Sequence, residues 1–137
     1  MNRNIIAAVT LAATTACLAL TPAVAKTPRL TGEAKLAKML EGREPGKPTN
    51  CLPLGPTQES RIIDKTAIVY RYGGTLYVNR PSNPESLDSD DILLTRQTSG
   101  QLCRLDSVQL IDRTSRMYSG FVALQDFVPY TKVASAK

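Results

Sequence analysis

The chain contains no histidine, and this absence removes several common chemistries at once. The usual serine and cysteine hydrolases use a histidine as general base, and many zinc sites use imidazole ligands. Neither a phosphate-binding loop nor a Gly-x-Ser-x-Gly motif occurs, because Tyr118-Ser119-Gly120 lacks the leading glycine. An enzyme built on this sequence would have to rely on carboxylates.

Cysteine is scarce, with three residues at positions 17, 51 and 103. No pair has the Cys-x-x-Cys spacing that thiol redox centres normally use. Once the N-terminal stretch described next is removed, Cys51 and Cys103 remain. An even number of cysteines in an oxidising compartment predicts one structural disulfide between them.

Long apolar runs are missing except at the N-terminus. Arg3 precedes an apolar stretch over residues 5–20, and Pro22 and Ala23-Val24-Ala25 follow it. This layout is typical of a secretory signal with a small-residue cleavage site. We therefore predict a signal peptide over 1–25 and an exported protein, periplasmic or secreted, without a transmembrane span in the mature chain.

Two alternatives stay open for the same stretch. It is barely long enough to serve as an uncleaved membrane anchor. Cys17 could instead become the acylated N-terminus of a bacterial lipoprotein, although Thr14 occupies the position where such sites usually carry an aliphatic residue.

Residues 26–50 form a basic N-terminal segment. Its cations are Lys26, Arg29, Lys35, Lys38, Arg43 and Lys47. They could meet an anionic membrane face or polymer, or form a solvated tail and helix face.

The same segment contains signals for a short helix and a linker. Thr31 can cap a helix over 32–41, and Gly42 can end it in a left-handed turn. Leu36, Ala37 and Leu40 would form its narrow apolar stripe. The prolines and glycine of 43–50 predict a linker that leads into the main domain.

The clearest strand signal lies in 66–80, where two β-rich runs flank Gly73-Gly74. A two-residue hairpin turn is expected, with positive φ at both glycines. Its length fixes the register, which places Tyr72 opposite Thr75 and Tyr70 opposite Tyr77. Both faces are largely apolar, so we expect the hairpin to be covered on each side or to lie centrally in a sheet.

Further short strands are predicted toward the C-terminus, at 92–97, 101–105, 108–111, 121–124 and 127–132. A change of phase indicates a bend near Asp106-Ser107, and Pro129 favours an edge strand or a strand start. The fold expected is mainly β: a small antiparallel meander sheet or partly closed barrel with one short N-terminal helix. One disulfide-stapled domain would span 51–132, followed by a tail at 133–137.

Acidic residues supply the candidates for catalysis and for metal binding. Paired carboxylates can hydrolyse glycosidic or peptide bonds, and the four candidates are Asp64, Asp106, Asp112 and Asp126. Two of them, in Asp64-Lys65 and Asp112-Arg113, are more typical of turns between strands. The most acidic stretch, with Glu85, Asp88, Asp90 and Asp91, lacks the spacing of the twelve-residue calcium loop, which favours a solvated loop. We expect no cofactor and no metal.

Tyrosines of the hairpin define a candidate partner surface. Tyr70, Tyr72 and Tyr77, with Arg71 beside them, share features with stacking platforms for single-stranded nucleic acid. An exported protein seldom meets that ligand, and aromatic cross-strand pairs are ordinary in sheets. Nucleic acid is therefore not expected as a partner.

Several short motifs in a consistent order also suggest a family. Cys51, the run Ile63–Arg71, Leu102-Cys103 and the closing Phe127–Tyr130 together resemble a group of small exported proteins of Gram-negative bacteria. That group is classified as a domain of unknown function. The resemblance covers about 51–132 and implies export, a single domain and the disulfide. It implies no reaction, ligand or functional residue.

The function expected from the sequence is that of an exported, non-enzymatic binding or structural domain of the periplasm or cell envelope. Its partner would be an envelope protein or polymer. A small secreted hydrolase that uses a carboxylate pair is the alternative. Two approaching aspartates in a cleft would favour the hydrolase, whereas a continuous apolar or tyrosine-rich surface would favour binding.

Overall fold

A computed structural model describes residues 29–53, 55, 58–96 and 99–134. The predicted signal peptide, with its anchor and Cys17 alternatives, lies outside these residues. No helix in the described ranges has the length and apolar character needed to cross a bilayer. The elements in chain order are α1 (Gly32–Met39), β1 (Arg43–Pro45), β2 (Cys51–Pro53), β3 (Glu59–Ile63), β4 (Ala67–Tyr72), β5 (Thr75–Asn79), a 3-10 turn (Pro84–Ser86), β6 (Asp91–Leu94), β7 (Gln101–Cys103), β8 (Ser107–Asp112), β9 (Tyr118–Ala123) and β10 (Phe127–Lys132).

The strands form three antiparallel sheets. The largest has the order β1-β10-β5-β4-β3, a second has the order β6-β8-β9, and β2 pairs with β7. The prediction of a mainly β, antiparallel fold with one short helix is confirmed. Within the described residues the sheets stay separate and do not close into a barrel.

Helix α1 begins where the sequence predicts. The Thr31 hydroxyl accepts a hydrogen bond from the Ala34 amide at 3.3 Å, and Gly42 takes the left-handed φ of 69°. The helix ends at Met39, two residues early. Leu36 is buried as expected, but Ala37 is exposed, so its place in the apolar stripe is wrong.

The first residue of the helix lies close to the turn between β3 and β4. A Cβ atom added to Gly32 would overlap the Thr66 hydroxyl and lie 2.5 Å from the Asp64 carbonyl oxygen. Leu36 lies against the sheet, with Met39 and Leu40 packed beside it. Glycine is therefore needed here for space rather than for its backbone freedom.

The linker predicted for 43–50 begins with a short strand, so that prediction is wrong for its first three residues. Arg43–Pro45 pairs with β10, and the Gly46 amide donates to the Pro129 carbonyl at 2.7 Å. Thr49 forms a further bridge with Phe127. Because β1 is an edge strand, its proline does not interrupt a ladder on its outer side.

Consequently β10 is an interior strand, and the prediction that Pro129 marks an edge or a strand start is also wrong. The Pro129 carbonyl faces β1, where it accepts the Gly46 bond. In an antiparallel strand the N–H and C=O of one residue lie on the same side. The N–H that Pro129 lacks would therefore point toward the end of the short β1, and its absence does not interrupt the pairing of β10 with β5.

The β4–β5 hairpin has the predicted register. Tyr72 pairs with Thr75, and Tyr70 pairs with Tyr77. The turn differs in one respect: Gly73 has a φ of 57°, whereas Gly74 does not adopt positive φ. Positive φ at the first centre alone is the pattern of a type II′ turn, which also suits the twist of a hairpin.

Both faces of this hairpin are buried, as predicted, and each belongs to a different hydrophobic core. On one face, Ile68 and Tyr70 pack with the inner face of the second sheet and with Phe127. On the other, Val69 and Val78 pack beneath helix α1. Because successive side chains of β4 point to opposite faces of the sheet, this one strand contributes residues to both cores.

The predicted disulfide joins Cys51 to Cys103, which are directly paired residues of β2 and β7. The chain then turns sharply: Leu105 has a φ of 76°, and the Asp106 amide donates to the Cys103 carbonyl at 3.1 Å. This is the bend expected near Asp106-Ser107, and it moves the chain from β7 into a different sheet.

Candidate functional site

A cleft of about 890 Å³ lies between the edges of the two larger sheets. Edge strand β3 forms one wall, edge strand β6 forms the other, and helix α1 and the turn after β8 border it. The residues that line it are Leu30, Lys35, Lys38, Met39, Ser60, Arg61, Ile62, Ile63, Ser89, Asp91, Ile92, Leu93 and Arg113.

The lining is strongly cationic, with four basic side chains and one carboxylate, Asp91. Among the described residues, no carboxylate lies within 4.0 Å of Lys38, Arg61 or Arg113. All three side chains belong to exposed residues. These three cations are therefore free of direct ion pairs within the described residues and can pair with an anionic ligand.

The fourth cation, Lys35, is held by Asp64. The Lys35 Nζ lies 3.0 Å from Asp64 Oδ2, and the Ser89 amide donates to Asp64 Oδ1 at 2.7 Å. Burial acts to raise the pKa of Asp64, but the hydrogen bonds from Ser89 and Lys35 outweigh it and lower that pKa. This carboxylate ties helix α1 to the loop before β6 and fixes one side of the cleft.

Asp91 differs from the other acids of its stretch. Glu85, Asp88 and Asp90 are exposed, as the solvated loop predicts, but Asp91 is buried as the first residue of β6. Its Oδ1 accepts a hydrogen bond from the Ser119 hydroxyl at 2.9 Å. The expectation that all four acids are solvated is thus wrong for Asp91, because strand pairing draws it inward.

A smaller pocket of about 150 Å³, named the inner pocket, adjoins the cleft. Ser60 and Leu93 line both spaces. The pocket is also lined by Gln58 and Tyr70, whose Nε2 and hydroxyl group are buried without a hydrogen-bond partner among the described residues. Burial raises the pKa of Tyr70, so its hydroxyl keeps its proton and can donate.

The hairpin residues proposed as a partner surface do not form one surface. Tyr70 is only 3% exposed and packs edge-on against Phe127, so its assignment to a surface is wrong. Tyr77 is half-buried, whereas Tyr72 and Arg71 are exposed. Arg71 points to the opposite face of β4 from the tyrosines, 3.8 Å from Glu59.

The four candidate catalytic aspartates each have their own structural partner. Asp64 pairs with Lys35, and Asp126 lies 3.2 Å from Arg104. Asp106 accepts a hydrogen bond from the Cys103 amide at 2.7 Å.

Asp112 caps the turn after β8. Its Oδ1 accepts hydrogen bonds from the Ser115 amide at 2.6 Å and from the Ser115 hydroxyl at 2.7 Å. The Thr114 amide donates to it as well. These bonds, chiefly the one from the Ser115 amide, lower the pKa of Asp112. The turn roles predicted for Asp64 and Asp112 are confirmed.

The described ranges also contain no group of three or more cysteine, aspartate or glutamate side chains placed to hold a metal ion.

A second surface feature is the outer face of the β6-β8-β9 sheet. Leu94, Phe121 and Tyr118 are exposed on it by 43%, 53% and 60% of their surface. Half-buried Ile92 and Ile111 are paired neighbours on the same face. Gln109 lies between Leu94 and Phe121 on this face. Several exposed apolar side chains on one face are typical of interaction sites.

Sequence reasoning found only half of the cleft. Lys35 and Lys38 stood out in the basic segment, but Arg61 lies in β3 and Arg113 in the turn after β8, and neither has a local signal. Comparison with protein-family models, with curated proteins and with solved structures gives no match to this chain.

Proposed function

We propose that this chain is an exported, non-enzymatic binding domain of the periplasm or cell envelope, and that the cleft between β3 and β6 holds an anionic segment of its partner. The observation that carries the proposal is the charge of the cleft, where Lys35 is paired with Asp64 and three further cations, Lys38, Arg61 and Arg113, have no carboxylate within 4.0 Å among the described residues. Low-dielectric walls lined by one sign of charge concentrate ligands of the opposite sign.

Two further features support binding over catalysis. The aspartates that a hydrolase would need are occupied as ion-pair partners and turn caps. The apolar outer face that includes Phe121 and Tyr118 adds a surface suited to contact with a partner. The carboxylate hydrolase therefore gains no support from the arrangement of these residues.

Export is supported by the disulfide, because such bonds persist in oxidising compartments. The resemblance to small exported Gram-negative proteins agrees with this proposal. Under it, the signal peptide over 1–25 is removed and the mature chain acts in the periplasm or at the cell envelope.

The proposal is tested with poly-glutamate as an anionic probe and poly-lysine as its cationic counterpart. We expect the full protein to bind poly-glutamate only, with an affinity that falls as salt is raised, since screening weakens exposed charge interactions. Lys38→Glu and Arg61→Glu should each weaken binding. Lys47→Glu makes the same charge change outside the cleft and serves as the control. Equal effects at positions 38 and 47, measured by titration calorimetry, would contradict a role for the cleft.

A further inference from the structure

Within the described part of the chain, the two walls of the cleft are strands that have a neighbour on one side only. Among the described residues β3 pairs only with β4, and β6 pairs only with β8. On an edge strand, every second residue points its N–H and C=O away from the sheet. Four consecutive residues of β3 (60–63) and three of β6 (91–93) line the cleft. Their outward N–H and C=O groups have the spacing of those in an extended polypeptide, which could pair with them.

The positive charge of the lining favours some polypeptide segments over others as occupants of the cleft. Arg61 is an exposed cation on β3 itself, and Lys38 and Arg113 lie around the same space. A second copy of β3 would bring one Arg61 toward another, which like-charge repulsion opposes. An acidic segment would place carboxylates beside these cations and is the complementary occupant.

The inner pocket adds a position for one side chain. Gln58 Nε2 and the Tyr70 hydroxyl both have hydrogens to donate and are buried without partners among the described residues. A buried donor without an acceptor is costly, and a carboxylate group entering the 150 Å³ pocket would bring the acceptor oxygens that the two donors lack. Because side chains alternate along a strand, every second residue of a bound segment would face the same way.

We propose that the cleft binds an extended acidic polypeptide segment, which adds as a strand to the free edge of β3 and places one carboxylate against Gln58 and Tyr70. This inference rests on the proposed function and specifies the partner class and the mode of binding. A polypeptide is favoured over an anionic polysaccharide because only its regular backbone amides can satisfy a strand edge along its length.

The first experiment uses a fluorescent ten-residue peptide of alternating Glu and Val, with two analogues N-methylated at the odd or the even amides. Methylation keeps the charge and removes backbone donors. We expect the parent peptide to bind, and at least one analogue to bind about tenfold more weakly or worse. Amide signals of β3 should shift in NMR spectra on addition of the parent peptide.

The outcomes separate this inference from the proposed function. If both analogues bind as tightly as the parent while Lys38→Glu still weakens binding, the cleft binds anions but strand addition is wrong. Tighter binding of heparin than of the peptide would also overturn the polypeptide assignment and leave the anion site intact. If neither poly-glutamate nor the peptide binds, both proposals fail.

The second experiment tests the inner pocket with Tyr70→Phe, which removes only the hydroxyl group. Because that hydroxyl has no hydrogen-bond partner among the described residues, the melting temperature should stay unchanged or rise. The affinity for the Glu-Val peptide should nevertheless fall about tenfold. Tyr72→Phe is the matched control, since Tyr72 is an exposed tyrosine two residues along the same strand. Equal affinities of the two variants would overturn the assignment of this pocket.

Discussion

The side chain of Asn79 and the backbone of Gln125 hydrogen-bond each other in both directions. Asn79 Nδ2 donates to the Gln125 carbonyl at 2.5 Å, and Asn79 Oδ1 accepts from the Gln125 amide at 3.3 Å. Asn79 is fully buried at the end of β5. One amide side chain thus satisfies both backbone groups of Gln125, which lies in the connection between β9 and β10.

Replacement of this asparagine should be costly. Asn79→Ala removes both hydrogen bonds to Gln125 and leaves a gap at a fully buried position, and we expect the free energy of unfolding to fall by about 1–3 kcal/mol. Urea denaturation at neutral pH measures the change. Asn83 makes similar bonds, to Phe121 and Ala123, from a more exposed position. Since water can replace its contacts, Asn83→Ala should cost less, and equal losses would contradict the role given to burial.

The disulfide should supply a large share of the stability. Cys51 and Cys103 are 52 residues apart in sequence, and the chain-entropy model assigns such a loop roughly 4 kcal/mol. Removal of both sulfurs in a double Cys→Ala variant should lower the free energy of unfolding by about 2–5 kcal/mol. Reductant should destabilise the wild type and leave the double variant unchanged. A wild type indifferent to reductant would show that the bond does not stabilise the fold.

The hairpin turn provides a matched pair of glycines. A Cβ atom at either Gly73 or Gly74 would meet no atom within 4 Å, but only Gly73 has positive φ. Gly73→Ala should therefore cost about 1–2 kcal/mol through backbone strain alone. Gly74→Ala should be close to neutral. Thermal melts of the two variants make the comparison, and similar losses would mean that the turn is of another type.

Acidification should weaken the link that Asp64 forms. Burial acts to raise the folded pKa of Asp64, but the hydrogen bonds from Ser89 and Lys35 lower it further than burial raises it. The stabilisation is therefore fully present above the unfolded pKa of about 4, and it is lost as the pH falls through the lower, folded pKa. The side chain is 38% exposed, so screening limits the effect to no more than about 1 kcal/mol. Asp64→Asn should be less stable than wild type in urea at neutral pH, with the difference vanishing in strong acid. Asp90→Asn changes an exposed loop acid, and its difference in stability from wild type should not change between neutral pH and strong acid.

Local signals in the sequence predict those parts of the fold that local interactions determine. The two-residue turn at Gly73-Gly74 fixed the register of Tyr70 with Tyr77, because hairpin length leaves no freedom in pairing. Thr31 fixed the start of the helix through its hydroxyl. These interactions join residues that are close in the chain.

The features that sequence reasoning missed depend on distant contacts. The stretch around Pro45 resembles a linker, and only the free edge of β10 makes it a strand. Asn79 gives no sign of its role until Gln125 lies beside it. The cleft is lined by Lys38, Arg61 and Arg113 from three separate segments, and no local sequence pattern indicates that they line one cleft.

Strand β4 carries a consequence for how the molecule opens. Ile68 and Val69 are adjacent in sequence, yet each belongs to a different core. The core beneath helix α1 is the smaller of the two. If helix α1 separated from the sheet, the larger core and the disulfide would stay in place. Hydrogen exchange should therefore proceed through two openings: a shallow one that frees α1, and a global one in which β4 separates from both of its neighbouring strands.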